Sequence, residues 1–384
     1  MMKMKTTLLA AAAMSLLATS ASAVDWGGYL RVGPGQKQSF KCADGGSDGG
    51  HGGIGRLGNE CNTYGEFALS QGAQAGGVDY KATLMTNFYQ PGSDPNGVQT
   101  AVNQIYVEGK GYDMAPNQTF WVGRRFYHRA DVHFDDTFFV NMTGSGAGVD
   151  GFDLGVGTLS LAVFRQDDNG ANPGSRLNVD LEGIKVNPGG KLRITGDFTK
   201  FSGTGGKSGT GISIQHNQSL GSWDNTAWFQ YAQGSAYLDM GFGGATDDSG
   251  KKRWRFVESP SWTKGPLTGQ GLFEFGEEKT PTLTGTNKRK YASAAGRLAY
   301  AFTKNFKLQG ELGTSSFRWQ DSAPNQTITK LTIAPTLAVG PNYYDRPELR
   351  LYVSTFSMND AYVANHGLSK KTQSSVGVQA EIWF

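Results

Sequence analysis

The sequence predicts an all-β protein, a transmembrane antiparallel β-barrel. Three observations favour this class. Amphipathic strands stand at both ends of the mature chain, and no segment shows a sustained helical period. Glycine is abundant, 55 of 384 residues, and aromatic residues make up 12% while charged residues make up only 18%. This composition suits many strands joined by turns.

The N-terminus has the pattern of a secretory signal peptide over residues 1–23. Lys3 and Lys5 precede an apolar run from Leu8 to Leu17, and the small residues Ala21-Ser22-Ala23 follow as a cleavage site. We therefore expect a mature chain of residues 24–384 that forms one domain. Without the two lysines the formal charge of +3 falls to about +1, so no nucleic-acid partner is expected.

The last strand shows the alternation most clearly. Ser375, Gly377, Gln379, Glu381 and Trp383 alternate with Val376, Val378, Ala380, Ile382 and Phe384. The first mature strand places Trp26, Leu30 and Val32 opposite Asp25, Gly27, Tyr29 and Arg31. Similar alternation follows at 349–355 and 192–197, and glycine-rich turns are expected at 187–190, 144–148 and 203–211.

Alternation from one end of the chain to the other is typical of a barrel that pairs every backbone group in the membrane. The roughly 361 mature residues suffice for about 16 to 18 strands, a size that leaves an aqueous channel. No later window reaches the ~18 apolar residues of a spanning helix, which excludes a helical membrane protein. The alternative is a water-soluble sandwich, whose strands also alternate.

Cys42 and Cys61 lie in a chain that is expected to be exported, where oxidation is permitted. A bridge between them would close a loop of about 20 residues and contribute on the order of 3 kcal/mol. Two unpaired thiols are the alternative.

On the channel side of the predicted wall, aromatic residues stand next to charged residues. Tyr29 shares a face with Arg31, and Tyr64 shares one with Glu66. The apolar faces of a sugar pack on aromatic rings, and its hydroxyls bond to charged side chains at the ring edge. Rings in an interfacial aromatic girdle are the alternative interpretation.

Other functional classes fit less well. None of the five histidines lies in a metal-binding pair, and Gly203–Ser208 lacks the first glycine of a phosphate loop, which is Phe201 here. In Gly144–Gly148 the serine stands second rather than third, so the segment does not match a nucleophile elbow. We expect neither an enzyme nor a cofactor or metal. A general diffusion or ion-selective porin remains the alternative, although its lumen would show opposed rows of like charge.

Several segments resemble the maltoporin family in order and position. They are residues 24–31, 56–66, 123–133, 144–148 and 381–384. The resemblance spans the mature chain and is weakest between 234 and 290. It implies an outer-membrane sugar porin for maltose and maltodextrins, a homotrimeric 18-stranded barrel with an inward-folded constriction loop and a line of aromatic residues that we call the aromatic slide.

The resemblance also implies which residues bind sugar. Tyr29, Tyr64, Trp383 and Tyr291 match slide positions, and Phe229 replaces an aromatic expected near Ala227. The flanking polar track maps onto Arg31, Arg56, Glu66, Arg129, Asp131, His133 and Asp136.

The sequence departs from the family at the constriction. Phe138 stands where the family has a tyrosine, and Asn103 stands where it has a track arginine. Arg129 fits maltoporins better than sucrose-type porins, so maltodextrins are favoured over sucrose. Broader oligosaccharide passage remains open. Cys42 and Cys61 occupy the family's bridge positions, which favours their pairing.

Overall fold

The computed structural model describes residues 24–33, 53–60, 62–90, 97–167, 172–282, 285–320 and 323–384. The signal-peptide prediction for residues 1–23 and the pairing of Cys42 with Cys61 lie outside these residues. The described strands are, in chain order, β1 (Asp25–Val32), β2 (Thr63–Ala75), β3 (Val78–Gln90), β4 (Gln99–Tyr112), β5 (Ala115–Arg125), β6 (Ala130–Val132), β7 (Thr137–Val140), β8 (Gly144–Asp153), β9 (Thr158–Gln166), β10 (Gly174–Asn187), β11 (Gly190–Phe201), β12 (Ser208–Ser219), β13 (Trp223–Gly234), β14 (Lys252–Lys264), β15 (Leu267–Thr282), β16 (Gly285–Ala301), β17 (Phe306–Arg318), β18 (Gln326–Ala338), β19 (Glu348–Met358) and β20 (Thr372–Trp383).

Eighteen of these strands form one closed antiparallel barrel, and β6 and β7 form a separate hairpin. Each barrel strand pairs with the next along the chain, and β1 pairs with β20 to close the wall, with Tyr29 opposite Trp383 and Arg31 opposite Glu381. The predicted all-β barrel of about 18 strands is confirmed. Closure removes the unpaired edges that an open sheet would expose.

The alternation of the sequence becomes the two faces of the wall. In β1, Trp26 is 66% exposed on the outside, whereas Arg31 on the inside is 6% exposed. In β19, Leu349, Leu351 and Val353 face outward. Apolar side chains thus cover the outer face, as a barrel in lipid requires.

The two ends of the barrel differ. At one end, tight turns join the strands, as at Gly76-Gly77 and at the predicted turn Asn187–Gly190. At the other end, most connections are longer and several enter the lumen. Transmembrane barrels have short turns on the periplasmic side and longer loops outside, so we call these the turn end and the loop end.

The glycines of 144–148 are not a turn, contrary to the sequence-based expectation, because they lie in β8. A Cβ on Gly148 would lie 2.6 Å from the Trp121 indole nitrogen, and one on Gly144 would lie 2.8 Å from the Phe164 ring. The absence of side chains here gives these inner rings room. The predicted loop 203–211 is likewise shorter, because β12 begins at Ser208.

A single short helix, α1 (Asp360–Asn365), is present in the described part of the chain, and Asn359 caps it by accepting a hydrogen bond from the Tyr362 backbone N–H. It lies in the connection between β19 and β20 and contacts β18. No helix among the described residues has the length and apolar character needed to cross a membrane.

Candidate functional site: the constricted lumen

The connection between β5 and β8, residues 126–143, folds into the barrel. Its apolar side chains pack against inner-wall residues, and Phe139 lies 5.1 Å from Trp228 between ring centroids. The buried members are Tyr127, Val132, Phe134, Phe139, Val140 and Met142. Because these side chains would face water outside the barrel, their burial holds the loop inside. We call it the constriction loop.

A second connection also enters the lumen, at residues 53–60 between β1 and β2. The Leu57 N–H donates to Glu311 (2.9 Å), and the Lys330 ammonium donates to the Leu57 carbonyl (2.9 Å). The Arg56 N–H donates to the Phe134 carbonyl of the constriction loop (2.9 Å). These contacts join the two inward segments and place the Arg56 side chain in the lumen.

Charged side chains gather where the two segments meet. The Arg56 guanidinium lies 2.8 Å from Glu60, 3.5 Å from Asp136 and 2.7 Å from Glu381. Arg31 forms an ion pair with Glu60 and lies 3.6 Å from Asp136. Asp136 keeps 39% of its side chain exposed, whereas the other four are nearly buried. The predicted track residues Arg31, Arg56 and Asp136 therefore come together.

Two predicted slide residues adjoin this charged group. The rings of Tyr29 and Tyr64 lie 6.1 Å apart between centroids. The Tyr29 hydroxyl donates to Glu381 (2.9 Å) and accepts from Arg56. The Tyr64 hydroxyl donates to Glu66. Both tyrosines are only half-buried, so part of each ring faces the channel.

Trp383 begins a second group of rings nearer the turn end. Its ring meets His133 edge-on at 5.1 Å, and His133 lies 5.7 Å from the ring of Tyr344. The guanidinium of Arg346 lies 4.4 Å from the Trp383 ring centroid. Tyr344 and Arg346 come from the connection 339–347 between β18 and β19, which is unusually long for the turn end.

Arg129 and Phe138 face each other across the constriction hairpin. The Arg129 guanidinium lies 3.8 Å from the Phe138 ring centroid and 4.1 Å from that of Phe126. A cation that stacks between two rings is held in one orientation. Glu66, a predicted track residue, accepts hydrogen bonds from the Asn103 amide (3.0 Å) and from the Tyr64 hydroxyl. Its carboxylate therefore lies beside Tyr64.

Burial shifts the titration of the constriction loop. It holds the pKa of His133 well below its ordinary value against the opposing effect of Glu381, and the guanidiniums of Arg56 and Arg346 add to the lowering. His133 is therefore neutral at pH 7.

Two predicted slide residues do not join the others. The assignment of Phe229 to the slide is wrong, because its side chain is 46% exposed on the outer face. Its neighbour Trp228 lies on the inner face and is 2% exposed. Tyr291 faces inward but is 6% exposed and packs in a separate cluster with Ile54 and Phe317.

Sequence reasoning missed several residues of this site. Glu60 and Glu381 bind the predicted arginines, and Tyr344 extends the rings towards the turn end. The sequence did carry one signal for Tyr344. Two adjacent tyrosines stand between the strands β18 and β19, in a connection longer than the short turns that are usual at this end. In the described residues, no group of three or more His, Cys, Asp or Glu side chains is placed to hold a metal.

Comparison with known proteins agrees with this architecture. The LamB porin family model matches residues 24–384. A maltoporin of Hahella chejuensis is 29% identical over 409 residues, covering 98% of this chain and 96% of the relative. Maltoporin 1 of Klebsiella pneumoniae is 30% identical over 435 residues, covering 99% and 100% respectively.

Solved structures with similar folds include a BenF-like porin from Pseudomonas fluorescens, with TM-score 0.53, 11% identity and coverage of 94% of this chain and 99% of that chain. OccAB2 of Acinetobacter baumannii gives TM-score 0.52 at 10% identity, covering 94% and 98%. At these identities the likeness shows the barrel fold alone. With the family model matching the whole described barrel, the chain belongs to the LamB porin family and is a channel of the bacterial outer membrane rather than an enzyme.

Proposed function

We propose that this channel conducts maltose and maltodextrins by facilitated diffusion along its lumen rings. The observation that carries the proposal is the line of Tyr64, Tyr29, Trp383 and Tyr344 on the inner side, with charged groups beside it. Rings present apolar faces to a sugar, and the neighbouring arginines and carboxylates exchange hydrogen bonds with its hydroxyls. The relatives named maltoporins support this substrate class.

Each part of the proposed slide has a polar partner within reach. Tyr29 and Tyr64 adjoin Arg31, whose guanidinium lies 5.9 Å from the Tyr64 ring centroid. Trp383 adjoins His133, whose neutral ring has one nitrogen that donates and one that accepts a hydrogen bond. A sugar that moves along the rings would exchange one polar partner for the next, so that no single step requires full dehydration.

Phe138 and Arg129 would form the narrowest polar gate on this path. The Phe138 ring stacks on the Arg129 guanidinium and fixes its orientation. Because residue 138 is phenylalanine, this gate lacks the hydroxyl that a tyrosine would provide. Asp131 lies on the same hairpin and would accept hydrogen bonds from sugar hydroxyls. We therefore expect preference for linear glucose oligomers, and broader oligosaccharide passage is the alternative outcome.

Single-channel recording tests the proposal. Maltose, maltotriose, sucrose and a neutral polymer of similar size are titrated in turn against the purified protein in a planar bilayer. We expect concentration-dependent blocking by maltodextrins that grows with chain length, weaker blocking by sucrose and none by the polymer. An unblocked, ohmic current with every solute would indicate a general diffusion porin.

We also propose that the mature chain begins at Val24, that Cys42 pairs with Cys61, and that three copies assemble. The first is read from the N-terminal mass of the purified protein, and the second from peptide masses with and without reduction. Light scattering in detergent gives the number of copies. A monomer mass, or an unmodified thiol at either cysteine, would contradict the corresponding part.

A further inference from the structure

The outer face of the wall carries an arc of cations at the loop end. Backbone pairing places Arg124 opposite Ser145, Ser145 opposite Arg165, Arg165 opposite Ser175, and Ser175 opposite Lys200. Paired residues project from the same face of a sheet. Arg124, Arg165 and Lys200 are all exposed. We call these five residues the rim arc.

Each cation of the rim arc ends an apolar row on the outer face. Val122 precedes Arg124, Val163 precedes Arg165, and Phe198 precedes Lys200 by two positions, and these apolar residues are 66%, 55% and 50% exposed. The outer surface therefore changes from apolar to cationic within one step of about 7 Å along each strand. Such a change marks the level of the lipid headgroups.

A groove lies directly below the arc. It has a volume of about 600 Å³ and runs across β5 and β8 to β11. Its lining includes the apolar side chains of Val122, Val163, Leu177 and Phe198, with Arg165 and Lys200 at its upper edge. An apolar groove that ends in two cations fits an amphiphile with acyl chains and an anionic headgroup.

Among the described residues, nearby carboxylates do not fully neutralise the cations of the rim arc. Arg165 Nε lies 2.7 Å from Asp167, but both side chains are largely exposed, and a surface pair of this kind contributes little. A guanidinium has four further N–H groups besides Nε. Lys200 has no carboxylate within ion-pair distance among the described residues.

Cations two strands apart are about 10 Å from each other, which leaves space for a phosphate group between neighbours. The serine hydroxyls at the intervening positions would donate further hydrogen bonds to it. Arginine binds phosphate oxygens in a bidentate manner, and lysine acts as a point charge.

Outward-facing cations occur at this level on two stretches of the wall. One is the rim arc, and the other is a row of Lys252, Lys279 and Lys288, which pair across β14 to β16. In the described residues of β18 to β20 and β1 to β4, the outward positions nearest the loop end carry no lysine or arginine. They are Thr327, Thr329, Thr355, Ser357, Thr372, Ser374, Gly65, Thr86, Phe88, Thr100 and Val102. Cations at this level therefore do not surround the rim, and the rim arc is the row whose Arg165 and Lys200 line the groove.

We propose that the rim arc binds the phosphate groups of an anionic lipid of the outer leaflet, whose acyl chains lie in the groove below. The bound lipid would fix the orientation of β5 and β8 to β11 in the membrane. It would lie on the outer face of the wall, whereas the sugar path lies in the lumen. The proposal does not depend on which solute the channel conducts.

Lipid binding by the full mature chain in detergent tests the proposal, with diphosphorylated lipid A as the probe. The test variant is Arg165→Gln/Lys200→Gln. The control is Lys252→Gln/Lys279→Gln, which removes two outward-facing cations that pair across β14 and β15 at the same end of the barrel, outside the groove. Each surface cation contributes about a factor of five to binding at an anionic membrane surface. We expect about 30-fold weaker binding for the test variant and less than about 2-fold for the control.

Two further probes separate the headgroup from other sources of affinity. Lipid A without phosphates should bind the wild type weakly and respond little to the test variant. Inorganic phosphate at millimolar concentration should displace lipid A only slightly, because it does not fill the groove. Equal affinities of the two variants, tight binding of the dephosphorylated lipid, or ready displacement by inorganic phosphate would each overturn the proposal. Heat-dependent gel mobility and single-channel conductance identify any variant that fails to fold.

Discussion

Arg56 Nη2 lies 2.7 Å from Glu381 Oε1, and both side chains are almost completely buried. This ion pair connects the inward segment 53–60 to β20, the strand that closes the barrel. Glu381 also accepts hydrogen bonds from Tyr29 and Arg346, each at 2.9 Å. One carboxylate therefore fixes a slide ring, an inward segment and the long connection at the turn end relative to one another.

Replacing the Glu381 carboxylate should weaken the attachment of Tyr29, of the inward segment 53–60 and of the long connection at the turn end. In Glu381→Gln the buried guanidiniums lose their counter-charge, and breaking a buried pair costs about 3–5 kcal/mol. We expect a lower temperature for the heat-dependent shift in gel mobility and greater open-channel noise. Glu258→Gln is the control, since Glu258 accepts from the Asn225 amide (3.1 Å) and carries no such cluster. Equal behaviour of the two variants would contradict the role given to Glu381.

Trp383 should contribute directly to sugar binding. Its half-buried ring adjoins His133 in the lumen, and losing an aromatic contact costs about 0.5–1.5 kcal/mol. Trp383→Ala should therefore weaken maltodextrin blocking roughly 2- to 10-fold without closing the pore. Phe229→Ala removes a ring from the outer face and should leave blocking unchanged. Blocking that weakens equally in both variants would show that the inner ring has no specific role.

The sequence predicted inner-face residues best where polar and apolar residues alternate cleanly. The outer row is apolar in β1 and, from Val376 onward, in β20, and Arg31 and Trp383 face inward as expected. In β13 both faces carry rings, so the pattern does not distinguish Trp228 from Phe229. A shift of one residue reverses every side chain in a strand, which explains why the assignment of Phe229 was wrong.

Contacts between distant segments could not be predicted from alternation. The inner position of Glu381 follows from the pattern of β20, but its partner Arg56 lies 325 residues away in a connection without strand structure. Tyr344 was missed for the same reason. Its place beside His133 depends on two connections that enter the lumen from opposite ends of the barrel.

Phe138 offers a test of the constriction. In Phe138→Tyr the ring stack with Arg129 is retained and a hydroxyl is added near the path of the sugar. One net hydrogen bond is worth about 0.5–1.5 kcal/mol, so the residence time of a blocking maltodextrin should lengthen roughly 2- to 10-fold. Phe138→Leu removes the stack and should shorten it. Unchanged residence times in both variants would place the constriction elsewhere.

Tyr344 should act as a ring of the slide at the turn end. Its side chain is 47% exposed, whereas its neighbour Tyr343 is 3% exposed and packs with the constriction loop. We expect Tyr344→Ala to weaken blocking roughly 3- to 10-fold, with the larger effect when maltodextrin is added from the turn end. Tyr343→Phe keeps the buried ring and should leave blocking unchanged. Unchanged blocking in Tyr344→Ala would remove this residue from the sugar path, and an effect equal from both sides would contradict its place at the turn end.

Asp135 should make the constriction loop sensitive to pH. Its side chain is fully buried and accepts a hydrogen bond from the Thr137 hydroxyl (2.7 Å). Burial, with smaller contributions from Glu274 and Glu311, raises the pKa of Asp135 from 3.8 to about 7. Between these two pH values the folded state binds the proton more tightly than the unfolded state. The free energy of unfolding therefore falls as pH rises through this window, by a few kcal/mol at most.

We expect the temperature of the gel-mobility shift to be lower at pH 8 than at pH 5 in the wild type. Asp135→Asn keeps the shape and stays neutral, so its stability should depend less on pH and exceed that of the wild type at pH 8. Asp113→Asn, in an exposed turn between β4 and β5, should keep the wild-type slope. A flat wild-type profile, or an unchanged slope in Asp135→Asn, would mean that the carboxylate is ionised inside the loop and that its charge is balanced by groups other than Thr137.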